Sequence, residues 1–314
     1  MARAIVKRTE MMDAVLDLGG APIELADYAT TGLLGLAVAP RGNGKTNAGL
    51  LIGEQLAAQG WVSVLVDPED ELASLYGDPV ADEEELAHRL DARDTPIVVV
   101  AAKTAHEFLP YGRVILEAAD RHRKPLYVFI DEGQLFSASK KRKDGVGEAA
   151  DIIGQFAERG RKRALDLVIT AHRYTDTIHR TLFSNKNLTL VGCQEDPTAW
   201  SNLAQQFRAS GIDYKDLNAL APAEFICFSR RGVEKVKMPM AEALKKVAPR
   251  ARAIKRTLPA TFSQWDRAMR SIPTERLQTL SDPVVQLLGS IAGLSTQQML
   301  GGARALGDEL ESRA

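Results

Sequence analysis

The chain has 314 residues, 45% of them hydrophobic and 26% charged, enough for one α/β domain of ordinary size with appendages or for two small domains. No stretch approaches the ~20 apolar residues that span a bilayer, and the start MARAIVKRTEMMDAV lacks the apolar core of a secretory signal, so a cytoplasmic protein is expected. A net charge of −1 excludes a global attraction for nucleic acid, and the two cysteines, Cys193 and Cys227, lie in apolar runs that argue against a disulfide framework or a cysteine metal site.

Residues 1–30 read as an arm too short to fold alone. The apolar run 33–39 predicts a first strand, and it leaves through APRGNGKTN, residues 39–47, into a helical pattern over 45–59. A strand, a glycine-bearing loop and a helix start together turn backbone N–H groups and the positive end of the helix dipole toward a phosphate. The loop fits G-x-x-x-x-G-K-[ST] with Ala39 in the leading glycine position. Ala39, Pro40, Arg41, Gly42, Asn43, Gly44, Lys45, Thr46 and Asn47 are therefore candidate nucleotide contacts, with Lys45 directed at the β- and γ-phosphates and Thr46 at Mg²⁺. The plainer alternative is a glycine-rich turn that merely begins a helix.

Further strands are predicted at 61–66, 97–102, 126–130, 166–171, 188–193 and 224–229, with helices at 104–120, 147–164 and 197–209. Near-continuous apolar strands alternating with amphipathic helices indicate an α/β fold: a mostly parallel sheet sandwiched by helices. The strand 126–130 delivers Asp131 and Glu132 to its end, where carboxylates need solvent or a partner. Beside a phosphate loop, Asp131 suits the Mg²⁺ shell and Glu132 suits activation of water, which favours hydrolysis over transfer to a metabolite. The strand 166–171 ends in His172, either a sensor of the γ-phosphate or a polar cap on a strand edge. Arg159, Arg161 and Arg163 close the preceding helix, where positive charge also complements the dipole.

Local basic clusters stand out against the near-zero net charge: KKRK at 140–143, RGRKR at 159–163, RRGVEKVK at 230–237 and KKVAPRARAIKR at 245–256. Each read alone is a solvated face. The partition expected along the chain is an arm at 1–30, an ATPase core at 31–240, and a basic linker with a helical tail at 241–314.

Taken together, APRGNGKT, VLVDPEDEL, YVFIDEGQLF and GRKRALDLVITAHR resemble, in order and spacing, the HerA/FtsK family of ring-forming, ATP-driven DNA motors, over roughly residues 31–235. The resemblance implies a P-loop ATPase using ATP and Mg²⁺, with Lys45 and Thr46 on phosphate and metal, Asp131 on the metal and Glu132 as base. It implies Arg161, and next Arg159, as the arginine reaching a neighbouring subunit's nucleotide, a contact able to accelerate hydrolysis by ~10³ to 10⁵. It also puts the segment after the DE strand at a central channel, making Lys140, Lys141, Arg142 and Lys143 candidates for contacts to the backbone of double-stranded DNA. His172 stands where such proteins carry glutamine in a T-Q-R-P run, and Tyr174 replaces the proline. Two features of the family are not expected here: a β-barrel ahead of residue 31, as in HerA proteins, and a membrane region of the FtsK kind.

A compact core of this kind is similar to viral genome-packaging ATPases, which would make the protein virion-associated. The expectation is a homo-oligomeric, hexameric translocase, with residues 260–314 available to a portal, capsid or effector protein. The alternatives are an ATP-dependent switch that recruits an effector and, less favoured by Glu132, a small-molecule kinase.

Overall fold

The strand-forming runs are dominated by apolar residues with only an occasional polar one, so they can be covered on both faces, and that is how they are used. The computed structural model describes residues 13–137, 145–172, 180–194 and 197–251. The chain divides into two compact units, Met1–Pro249 and Arg250–Ala314. Two short strands, β1 (Val15–Leu16) and β2 (Ile23–Glu24), form a small antiparallel ladder. Then follow β3 (Leu34–Val38), α1 (Lys45–Ala58), β4 (Val62–Asp67), α2 (Ala73–Tyr76), α3 (Glu83–Ala92), β5 (Ile97–Ala101), α4 (Ala105–His122) and β6 (Leu126–Ile130). The remainder is α5 (Val146–Arg163), β7 (Leu165–Ala171), α6 (Arg180–Asn185), β8 (Leu188–Val191), α7 (Pro197–Arg208), α8 (Tyr214–Asn218), β9 (Glu224–Ser229), β10 (Gly232–Lys237) and α9 (Glu242–Ala251).

The main sheet has eight strands in the order β10-β9-β8-β3-β7-β6-β4-β5. The six from β8 to β5 are parallel, and the β9–β10 hairpin extends the sheet antiparallel at the β8 edge. This is the mostly parallel, helix-covered sheet that the strand pattern predicts. Strand β7 is inserted between the phosphate-loop strand β3 and the DE strand β6, so the ends of all three lie side by side.

Side chains alternate across the sheet because strand periodicity is two. Val62, Val64, Val66, Leu126, Val128 and Ile130 face a core shared with α3, α4 and α5, where Phe108, Phe136 and Phe156 pack together. Leu65, Tyr127, Phe129 and Val168 face α1. Helix α1 is apolar nearly all round and so needs a second cover besides the sheet; the arm supplies it with Leu16, Leu18, Leu25 and Tyr28, all buried. Two glutamines one turn apart, Gln55 on α1 and Gln59 at its C-terminal cap, grip the arm's backbone. Gln59 exchanges two hydrogen bonds with Val15 at 2.9 Å, and Gln55 two with Asp17 at 2.7 and 2.8 Å.

The cluster RRGVEKVK proves to be the β9–β10 turn and strand β10, and much of its charge is engaged internally. Arg231 pairs with Glu24 and Asp27, Arg230 lies over the Tyr28 ring, and Lys235 pairs with Glu224. Residues 242–251, read from sequence as linker, form helix α9. Among the described residues no helix is long and apolar enough to cross a membrane.

Candidate functional site

Between β3 and α1 the backbone turns through Gly42 (φ +76°) and Gly44 (φ +88°), left-handed conformations that other L-residues rarely adopt. No side chain caps the start of α1, so the first-turn N–H groups remain available to an anion. Lys45 is 5% exposed, and its Nζ donates to the Pro40 carbonyl at 3.1 Å. Burial pushes its ammonium below the ordinary lysine value; the Glu132 and Asp131 carboxylates pull back against that, and Arg41 adds to the depression. A buried ammonium with so few acceptors is a ready partner for phosphate oxygens.

The two halves of the site meet at α1 and β6. The Thr46 hydroxyl donates to Asp131 Oδ2 at 2.8 Å, across 85 positions of sequence. Asp131 follows β6 directly, and its other oxygen, Oδ1, accepts from the Thr170 hydroxyl and from the Glu132 N–H at 3.1 Å. Glu132 itself has φ +49°, and its N–H also donates to Thr170 Oγ1 at 2.9 Å. The next residue must be glycine, since a Cβ on Gly133 would lie 2.0 Å from Ile169 Cγ2 and 3.1 Å from the Thr170 carbonyl. The left-handed turn and this close approach aim the Glu132 side chain across the end of β7.

There it meets His172, whose Nε2 lies 2.7 Å from Glu132 Oε2, while His172 Nδ1 lies 3.3 Å from Lys45 Nζ. An ammonium can only donate, so Nδ1 accepts and the ring proton sits on Nε2, where it is donated to Glu132. Gln134 Nε2 donates to the same carboxylate oxygen. The histidine thus joins the phosphate-loop lysine to the candidate base, and both sequence readings of it, a sensor or a strand-end cap, meet at a residue that touches both halves of the site.

Thr170 and Gln134 escaped sequence reasoning. The signal for Thr170 was one hydroxyl near the end of an otherwise apolar run; only pairing of β6 with β7 gives it a purpose. Asn47, a candidate nucleotide contact, turns its carboxamide the other way: Nδ2 donates to the Pro239 carbonyl and Oδ1 accepts from the Ala241 N–H, both at 2.8 Å. Asp67, at the end of β4, is buried and accepts from the Glu69 and Leu72 N–H groups, a turn-stabilising role.

The last turns of α5 lead directly into the start of β7, at the edge of the sheet opposite the phosphate loop. Arg163 there pairs with Asp120 of α4. Arg159 and Arg161 belong to the same helix end; their side chains lie outside the described residues, as do Lys140, Lys141, Arg142 and Lys143 and all of 260–314.

No protein-family model matches the sequence, and no curated protein matches it significantly. Solved structures do share its architecture. The genome packaging NTPase B204 of Sulfolobus turreted icosahedral virus 2, in complex with ATP-γ-S, is 13% identical with a TM-score of 0.53, covering 66% of this chain and 98% of that one. The conjugation coupling protein TcpA of pCW3 is 14% identical with a TM-score of 0.52, covering 76% and 71% respectively. ATPases 2 and 3 of Thermomonospora curvata EccC, in complex with a signal sequence peptide, are 14% identical with a TM-score of 0.50; the match covers 76% of this chain and 42% of theirs. With its strand order, its phosphate loop and these neighbours, the chain has the P-loop NTPase fold.

Proposed function

We propose that the protein is a Mg²⁺-dependent ATPase that moves double-stranded DNA as a homo-oligomeric ring. The observation that carries the hydrolytic part is the 2.8 Å contact between Thr46 and Asp131, with Lys45, His172 and Glu132 joined beside it. A hydroxyl and a carboxylate at that separation are hard oxygen donors suited to Mg²⁺, which takes one or two protein oxygens and completes its shell with water and substrate phosphate. Thr46 and Asp131 would hold the ion, which when bound supplies charge neutralisation at the β- and γ-phosphate oxygens.

The chain's own residues do the rest. Backbone N–H groups of the loop and of the first turn of α1 bind the phosphates, and Lys45 exchanges the Pro40 carbonyl and the imidazole for phosphate oxygens. Glu132 orients the attacking water and takes its proton. His172, no longer held by Lys45, has its Nδ1 lone pair free while its Nε2–H still orients Glu132. The resemblance assigns Arg161, and next Arg159, to the nucleotide of a neighbouring subunit, and both belong to the end of α5 that leads into the start of β7.

The DNA part rests on the resemblance to DNA motors and on likeness of fold to a packaging NTPase and a conjugation coupling protein. The likeness to EccC, in complex with a signal sequence peptide, favours a second reading in which an ATPase of the same fold acts on a protein. One experiment separates them: ATP turnover by wild type, Glu132→Gln and a variant neutral at Lys140, Lys141, Arg142 and Lys143, with and without duplex DNA over a salt series, on material of measured mass. Glu132→Gln is expected to lose turnover by about 10² to 10⁴ while retaining ATP. DNA stimulation that falls steeply with salt and disappears in the neutral-loop variant supports translocation. Turnover and mass indifferent to DNA at every salt concentration refute it.

A further inference from the structure

In the proposed phosphate site the groups at the ends of β7 and β6 lie on one side of α1, which leaves the other side, where β8, β9 and β10 lie, to the rest of a nucleotide. Because β9 runs antiparallel to β8, its start, and the end of β10 paired with it, return to the same edge of the sheet as the phosphate loop. Two apolar tripeptides project there, Ala-Pro-Ala at 221–223 and Pro-Met-Ala at 239–241. Both are tied to the loop and helix. The Ala223 N–H donates to the Asn43 carbonyl at 3.2 Å, and the Met238 N–H donates to the Ala223 carbonyl at 2.8 Å. Ala223 Cα lies 3.4 Å from where a Cβ on Gly44 would be, so this segment runs against the loop itself.

The second tripeptide is fixed along α1 by two side chains seven residues apart, hence on one face of the helix. Asn47 grips residues 239 and 241, and Glu54 accepts from the N–H groups of Glu242, at 2.5 Å, and Ala243, at 2.9 Å, while also taking a hydrogen bond from the Tyr76 hydroxyl. Between the two residues held by Asn47 stands Met240, 45% exposed. Four hydrogen bonds thus hold the backbone around an exposed, polarizable, apolar side chain at the first turn of the phosphate-loop helix. A thioether is a favourable neighbour for an aromatic face.

We infer that Met240, with Pro239 and the exposed Ala221 and Pro222, is the platform for the nucleobase and ribose of the bound nucleoside triphosphate. This rests on the proposed phosphate site and adds the residue that distinguishes a nucleotide from a bare polyphosphate. Calorimetric binding of Mg-ATP and of magnesium tripolyphosphate to full-length wild type, Met240→Ala and Met240→Leu tests it. Met240→Ala should weaken ATP about tenfold, from the loss of apolar contact area, and leave tripolyphosphate within twofold; Met240→Leu should bind ATP within threefold of wild type. Wild type binding both ligands, with Met240→Ala unchanged toward ATP or weakened equally toward both, overturns this inference alone. Wild type binding neither overturns the phosphate-site reading together with it.

Discussion

Helix α1 lies against β6 through glycine, and the contact sets how near Thr46 comes to Asp131. A Cβ on Gly49 would fall 2.0 Å from Phe129 Cε2 and 2.3 and 2.5 Å from Cδ2 and Cζ of the same fully buried ring. Carbon atoms in contact sit about 3.5–4.0 Å apart, so Gly49→Ala requires the helix and ring to separate by about 1.5 Å. The Tyr127 hydroxyl, which donates to the Gly49 carbonyl at 2.9 Å, resists the same movement. Thr46 lies within one turn of Gly49, and a shift of that size takes its hydroxyl from 2.8 Å to about 4 Å from Asp131, beyond hydrogen bonding.

Overpacking of this kind costs about 1–3 kcal/mol, which lowers Tm by roughly 2–12 °C at about 2–4 °C per kcal/mol. Mg-ATP affinity should fall at least tenfold, because the lysine and threonine no longer share one ligand with Asp131. Thermal unfolding and calorimetry on Gly49→Ala, Phe129→Ala and the double variant measure both effects. Removing the ring removes the collision, so the double variant should be little worse than Phe129→Ala alone. Gly49→Ala with wild-type Tm and affinity, or strict additivity in the double variant, would refute the reasoning.

Two further outcomes follow from the hydrogen bonds around the carboxylates. Thr170→Val keeps the shape of the side chain but strips Asp131 of one donor and the Glu132 N–H of one acceptor; it should lose about 1–3 kcal/mol in denaturant unfolding and bind Mg-ATP more weakly. Unchanged stability would show that the hydroxyl is dispensable to the turn. His172→Gln should retain turnover within about fivefold, because a carboxamide, like the Nε2–H imidazole, offers an acceptor at one atom and an N–H donor at another. His172→Ala should lose about 10- to 100-fold in kcat with a smaller change in KM, since it removes the positioning of a general base rather than ATP binding. Equal losses in the two variants would mean that the imidazole acts in another way.

Much of this protein is local in origin and could be read from the chain. Apolar runs of five to seven residues marked the seven strands of the main sheet before the hairpin's last, and APRGNGKT and FIDE marked the two strand ends that meet at the candidate site. Periodicity, glycine spacing and strand-terminal carboxylates are properties of neighbouring residues, and sequence states them directly. Partnerships are not. That β7 lies between β3 and β6, and so brings Thr170 to Asp131 and His172 to Lys45 across 127 positions, is settled only by strand order. From sequence the arm is only a segment too short to fold alone; that it covers α1, a helix apolar on nearly every side, is decided by the tertiary structure. The arginines at 230 and 231 read as free basic charge until folding set them on Tyr28, Glu24 and Asp27. Met240 carried no sequence signal at all, because its significance lies in what Asn47 and Glu54 hold in place from nearly 200 residues away.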